Sequence, residues 1–151
     1  MFLITGYTWD LTARASKSLL DLANISTNYV GSMYMIFVRL LDGSTIGFKI
    51  LVECSGLISV AIFSVLFVFT VGLLRGSLRA KVTWLILGIV VGLIWNIVRL
   101  AFVIGIAYRF GLDAFFLFHY ILSPSIDFVW IVSMWALGMS RLKKTRMVTL
   151  S

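Results

Sequence analysis

Three apolar stretches, each long enough to cross a bilayer as a helix, occupy most of the chain after residue 54. The first runs from Ser55 to Leu74 and the second from Val82 to Tyr108; the third begins at Asp113 or Tyr120 and ends at Ser140. Upstream the pattern changes. Between Asp10 and Ile25, the residues Leu11, Ala15, Leu19, Leu22, Ala23 and Ile25 recur at helical spacing. This predicts an amphipathic helix, lying either in the membrane interface or against the rest of the chain with one side in solvent. After Asn28 the pattern becomes that of strands. Tyr34 to Leu40 is rich in strand formers, Asp42-Gly43 signals a turn, and Thr45 to Ile50 alternates. A β-hairpin leading into Cys54 is expected. The sequence thus predicts one mainly α membrane domain over 1–151, without internal repeats. Its parts are an interfacial helix region (1–29), a hairpin (30–53), three transmembrane helices (55–74, 82–108 and 113–140) and a tail (141–151). Met1 to Ile4 is too short an apolar run for a signal peptide.

Composition supports the membrane reading. Hydrophobic residues make up 61% and charged residues 13% of the 151, with a mean hydropathy of +1.07, more apolar surface than a soluble domain of this size needs. The single proline permits long helices, and the single cysteine excludes an internal disulfide. The net charge of +7 could suggest nucleic acid, but its distribution argues for topology. Arg75, Arg79 and Lys81 cluster after the first stretch, and Arg141, Lys143, Lys144 and Arg146 follow the third, with no acid in either group. Such clusters mark the cytoplasmic side. The first helix then runs inward, the second outward and the third inward again. The first 54 residues lie outside, where four bases and four acids leave them neutral.

This topology brings three reactive side chains to one depth. Cys54 precedes Arg75 by 21 residues, about 30 Å of helix. Arg99 follows Lys81 by 18 residues, about 27 Å, and His119 precedes Arg141 by 22, about 33 Å. All three belong near the outer edge of the hydrocarbon core. Each also has a plainer reading. A lone membrane cysteine is usually a small hydrophobe, yet Cys54 stands at a helix start, where the helix field favours a thiolate. Gly56 leaves room for a backbone or substrate to approach. His119, among Phe115, Phe116, Phe118 and Tyr120, also fits an aromatic belt. Arg99 is costly in hydrocarbon, so it must be paired, snorkelling outward or functional. Asn96 lies one turn below it on the same face and could fix its geometry. Asp127, about 21 Å above the inner boundary, is either its countercharge or a polar residue in the first turn after Ser123-Pro124.

Glu53-Cys54-Ser55-Gly56 opening one span, Asn96-x-x-Arg99 in the next and Phe118-His119 opening the last resemble the exosortase/archaeosortase family of membrane cysteine transpeptidases. The resemblance covers roughly residues 30 to 140. It implies Cys54, Arg99 and His119 as catalytic residues. It implies substrates anchored by a C-terminal sorting motif, a membrane helix and a basic tail, cut on the outer face and passed to a lipid or other acceptor. The chemistry follows. Cys54 attacks as a thiolate and forms a thioester, and His119 moves the proton. Arg99, which does not deprotonate, stabilises the thiolate or oxyanion. Glu53, Ser55, Gly56, Asn96 and Asp127 support these groups or position the substrate. No cofactor, metal-ligand cluster or phosphate loop is read from the sequence. Many relatives carry extra N-terminal membrane helices, so this chain is either a minimal form or incomplete at its start. A non-enzymatic membrane subunit or transporter component would explain the apolar spans and basic loops equally well, but not the shared depth of the three side chains.

Overall fold

The computed structural model describes residues 2–41, 43–50, 54–73 and 77–148, with side chains left aside at 2–5, 72 and 143–148. Asp42, Glu53, Arg75 and the side chains of Lys143, Lys144 and Arg146 lie outside the described residues. The fold is mainly helical. Helix α1 (Phe2–Leu22) leads into strands β1 (Thr27–Val30), β2 (Met35–Arg39) and β3 (Thr45–Lys49). Helices α2 (Leu57–Gly72) and α3 (Leu78–Leu117) follow. A single wide turn, Phe118–Leu122, then opens into α4 (Ser123–Val148). The helical run Leu78–Leu142 is long and apolar enough to cross a membrane, and Leu57–Val71 is apolar but shorter.

Helix α1 begins eight residues earlier than the periodicity indicates, at Phe2 rather than Asp10. No proline interrupts Phe2 to Trp9, so nothing stops the helix from extending. It ends where Asn24 takes a left-handed conformation, φ 59°. The Asn24 N–H bonds the Asp21 carbonyl and the Ile25 N–H the Leu20 carbonyl, both at 3.0 Å. These two bonds satisfy carbonyls that a bare helix end would leave open. The apolar stripe also faces the other way. Ala13, Ser16 and Leu20 are buried, while Leu11 and Leu22 are 51% and 80% exposed. Small side chains let α1 approach α3 closely, and the Ser16 hydroxyl bonds the Ile97 carbonyl at 3.4 Å. The large leucines are left facing outward.

The expected hairpin is two strands of a three-stranded antiparallel meander, β1-β2-β3. Strand β1 escapes the sequence reading because it is four residues long and its alternation is weak. The register pairs Ile36 with Phe48 and Val38 with Ile46. Ile36, Val38, Phe48 and Ile50 are buried on one face, following the two-residue period of a strand. They pack with Ala13, Leu20, Leu100 and Ile104 in a core that also contains Cys54. A second core, Phe63, Phe67, Val71, Trp130 and Ile131, joins α2 to α4.

Helix α1 is tied to β1 by polar contacts at the rim of the first core. The Tyr29 hydroxyl donates to Asp10 at 2.8 Å, and Asp10 also pairs with Arg14 at 2.8 Å. Burial pushes the Tyr29 hydroxyl up to about 12, and its bond to Asp10 acts in the same direction. That bond is also the chief reason the Asp10 carboxyl is held below its usual range. The phenol therefore stabilises the fold below its ordinary value of 10.0 and loses this as pH rises toward about 12. The carboxylate stabilises above its ordinary 3.8 and loses this as pH falls. Tyr29→Phe should cost about 1 kcal/mol. In thermal unfolding in detergent, the difference from wild type should hold between about pH 5 and pH 9 and shrink outside that window. A difference that does not change with pH would contradict this coupling.

Helix α3 is longer than the 82–108 span. Ser77 caps it, accepting from the Ala80 N–H at 3.4 Å. Near its far end Gly111, at φ 83° and ψ −176°, breaks the helical path. Only glycine adopts that backbone without strain. The wide turn Phe118–Leu122 has a local cause as well. Pro124 at the start of α4 has no N–H to return to residue 120, so the preceding turn loosens.

Candidate active site

Cys54, Ser55 and Gly56 form a buried turn ahead of α2. Cys54 is thus not the first helical residue. Gly56, left-handed at φ 75°, is the cap, and Cys54 lies two residues before it. The helix field is strongest on the first turn, so its effect on Cys54 is smaller than the sequence suggests. The reason is the glycine, whose left-handed cap places a turn between cysteine and helix. The Ser55 Oγ lies 3.5 Å from the Leu57 N–H.

Asn96 of α3 fastens this turn. Its Nδ2 donates to the Cys54 carbonyl at 2.9 Å, and its Oδ1 accepts from Arg99 Nη2 at 2.9 Å. The amide lies directly over Gly56. A Cβ there would meet Asn96 Cγ at 2.6 Å and Cβ at 2.7 Å. The space the sequence reserves for a substrate or backbone is thus filled by Asn96. Gly56→Ala should combine this overlap with left-handed strain and cost about 2–4 kcal/mol. The expected readout is a lower unfolding temperature in detergent, whereas an unchanged one would mean that the turn does not depend on this close approach.

Arg99 faces inward. Its Nη1 forms an ion pair with Asp127 Oδ2 on α4, and the Ser59 hydroxyl of α2 donates to the same oxygen at 2.7 Å. The arginine and aspartate side chains are only 9% and 14% exposed. Of the readings open to Asp127, the structure gives countercharge, and of those open to Arg99 it gives pairing rather than snorkelling. Ser59 is missing from the sequence reading. A membrane serine usually bonds a carbonyl of its own helix, as Ser64 does to Val60 at 2.7 Å, so its type gives little signal.

His119 stands on the wide turn before α4, with its Nε2 4.0 Å from Cys54 Sγ. Its ring stacks on Phe115 at 5.2 Å with a 7° interplanar angle, and Tyr120 meets it edge-on at 5.1 Å. Phe115 in turn packs on Phe48 of β3 at 4.8 Å. Phe115 thus holds the plane of the imidazole. Arg99, His119, Asp127 and Ser59 line a cavity of about 540 Å³ between α2 and α4, together with apolar residues such as Ile62 and Phe128. Cys54 is not in its wall; its sulfur meets His119, which is. Among the described residues no group of three His, Cys, Asp or Glu is placed to hold a metal ion.

The arrangement supplies a thiol beside an imidazole and a guanidinium fixed by two acceptors. A family model described as transmembrane exosortase matches residues 2–137. The chain belongs to the transmembrane exosortase family. No curated protein and no solved structure matches it. The match takes in Cys54, Arg99 and His119 together with the helices and turns that carry them. As an exosortase, the chain is a membrane protein, from a family of cysteine transpeptidases that acts on exported proteins bearing sorting signals.

Proposed function

We propose that this exosortase cleaves the C-terminal sorting tail of membrane-anchored exported proteins through a thioester at Cys54 and transfers them to a lipid or other acceptor. The observation that carries the reading is the approach of Cys54 Sγ to His119 Nε2, at 4.0 Å. That distance exceeds a working hydrogen bond, as resting sites often do before substrate tightens them.

In the first half-reaction, the Cys54 thiolate adds to the scissile carbonyl. Arg99 offsets the negative charge that forms on oxygen. The C–N bond breaks, and the departing amine takes a proton from His119. The product is a thioester on Cys54 and a released tail. In the second half-reaction, the acceptor's nucleophile gives its proton to His119 and attacks the thioester, and the Cys54 thiolate leaves. Asn96 holds the backbone of the nucleophile and the side chain of Arg99 in one piece. Asp127, with Ser59, fixes the other arm of the guanidinium. The cysteine and histidine take the roles they have in soluble cysteine peptidases, with Arg99 as the third group; the roles define the site rather than the chain order.

The topology completes the reading. Both basic segments are cytoplasmic, three helices cross, and the site opens near the outer face. His119 provides the test. Its replacement by alanine should slow cleavage of a co-expressed exported protein carrying a C-terminal sorting tail by about 10²–10⁴-fold. Part of that loss should be recovered with tails whose leaving amine is less basic. Full activity of His119→Ala would remove the histidine from proton transfer and favour a non-enzymatic membrane subunit if Cys54→Ala is also silent.

A further inference from the structure

Strand β3 carries an open edge beside the proposed nucleophile. In the meander, β2 pairs on both sides and β1 and β3 on one each. Strand β1 is tied to α1 through its side chains, where Tyr29 bonds Asp10 and Thr27 bonds Asp21. Among the described residues, no backbone pairs with the outer side of β3. The register says which groups stand there. Leu40 N–H bonds the Ser44 carbonyl and Ile50 N–H the Tyr34 carbonyl, both at 2.8 Å, so the even-numbered residues of β3 pair with β2. In an antiparallel pair the alternate residues point away. The outward N–H and C=O groups are therefore those of Thr45, Gly47 and Lys49.

The strand that carries this edge is tied to the site by ring packing. Four residues separate Lys49 from Cys54 in the chain. On the same strand, Phe48 packs on Phe115 at 4.8 Å, and Phe115 stacks on His119 at 5.2 Å. The chemistry supplies the occupant. A peptide bond inside a helix keeps its carbonyl bonded and shielded, so a scissile segment must be extended to meet a thiolate. An extended segment near a hydrocarbon boundary has unpaired backbone groups, each costly away from water. An open strand edge satisfies them regardless of side chains.

We infer that the outer edge of β3 binds the scissile segment of the substrate as an added β-strand, pairing through Thr45, Gly47 and Lys49 and delivering the bond to Cys54. This rests on the transpeptidase reading above and specifies how that site grips its substrate. The edge gives affinity through backbone, so selection among substrates falls to side chains that alternate along the added strand.

The test uses Cys54→Ala protein, to retain substrate, with the photocrosslinker p-benzoylphenylalanine at position 45 or at position 49. It is made in the cells where exported substrates are present, and adducts are mapped by mass spectrometry to the residue. Positions 45 and 49 are about 13 Å apart along a strand. An added strand should give adducts four residues apart, just before a C-terminal apolar helix. A helical substrate alongside would give adducts about nine residues apart. The protein so identified then serves as the reporter for Thr45→Pro, which deletes one outward N–H and no inward bond. Its processing should fall about fivefold to tenfold, with maleimide labelling of Cys54 unchanged. Adducts nine residues apart, adducts confined to the apolar helix, no adducts at either position, or normal processing by Thr45→Pro would overturn the inference. None of these results restores activity to Cys54→Ala, the outcome that would instead remove the transpeptidase reading itself.

Discussion

Cys54→Ala protein should leave its substrate uncut, with processing reduced by more than about a thousandfold, as when a covalent nucleophile is lost elsewhere. The chain has no second cysteine to substitute. Ser55, the adjacent hydroxyl, is buried and lies beside the Leu57 N–H. The loss should be specific to chemistry. Cys54 is 7% exposed and packs in the core between sheet and α3 as a small hydrophobe. Removing one sulfur there should cost only about 1 kcal/mol of stability. Detergent-solubilised variant and wild type should therefore unfold at similar temperatures, while substrate accumulates with its tail intact in cells expressing the variant. Equal processing by both would contradict the mechanism.

Arg99→Lys should be nearly as damaging, lowering processing about 10²–10³-fold, comparable to losing an oxyanion donor. The guanidinium spans two partners on different helices, with Nη1 on Asp127 and Nη2 on Asn96. A lysine ammonium is a point charge and cannot hold both in the plane of a fork. When buried it can also pass its proton to Asp127, which leaves a neutral pair and no positive charge to face the oxyanion. Asp127→Asn has the opposite defect, an uncompensated guanidinium, at about 3–5 kcal/mol. The two variants are separable. Arg99→Lys should keep most of its stability and lose turnover; Asp127→Asn should lose expression or melting temperature first. Arg99→Lys protein with wild-type processing would show that only charge is required at this position.

What could be read in the sequence was whatever depends on apolar length, charge and spacing. The apolar stretches point to the helices because twenty apolar residues have few other uses. Asn96-x-x-Arg99 reads as one unit because residues three apart share a helix face, and in the structure the two side chains are bonded. What could not be read depends on partners distant in sequence. The stripe of α1 suggests that Leu11 and Leu22 face the core, yet both sides of that helix are apolar and only its contact with α3 selects Ala13 and Ser16. Strand β1 is too short for a two-residue period to stand out. The cap at Gly56 is invisible because a glycine before an apolar run serves equally as space or as a turn. Ser59 joins the Arg99–Asp127 pair only through helix packing that no local pattern encodes.

The most direct measurement is mass spectrometry of the Cys54 peptide from protein purified with a co-expressed substrate under acid quench. The mechanism predicts a substrate fragment attached to Cys54 through a bond that hydroxylamine cleaves, absent from Cys54→Ala protein. Active processing with no such adduct, or with the fragment on any other residue, would contradict it.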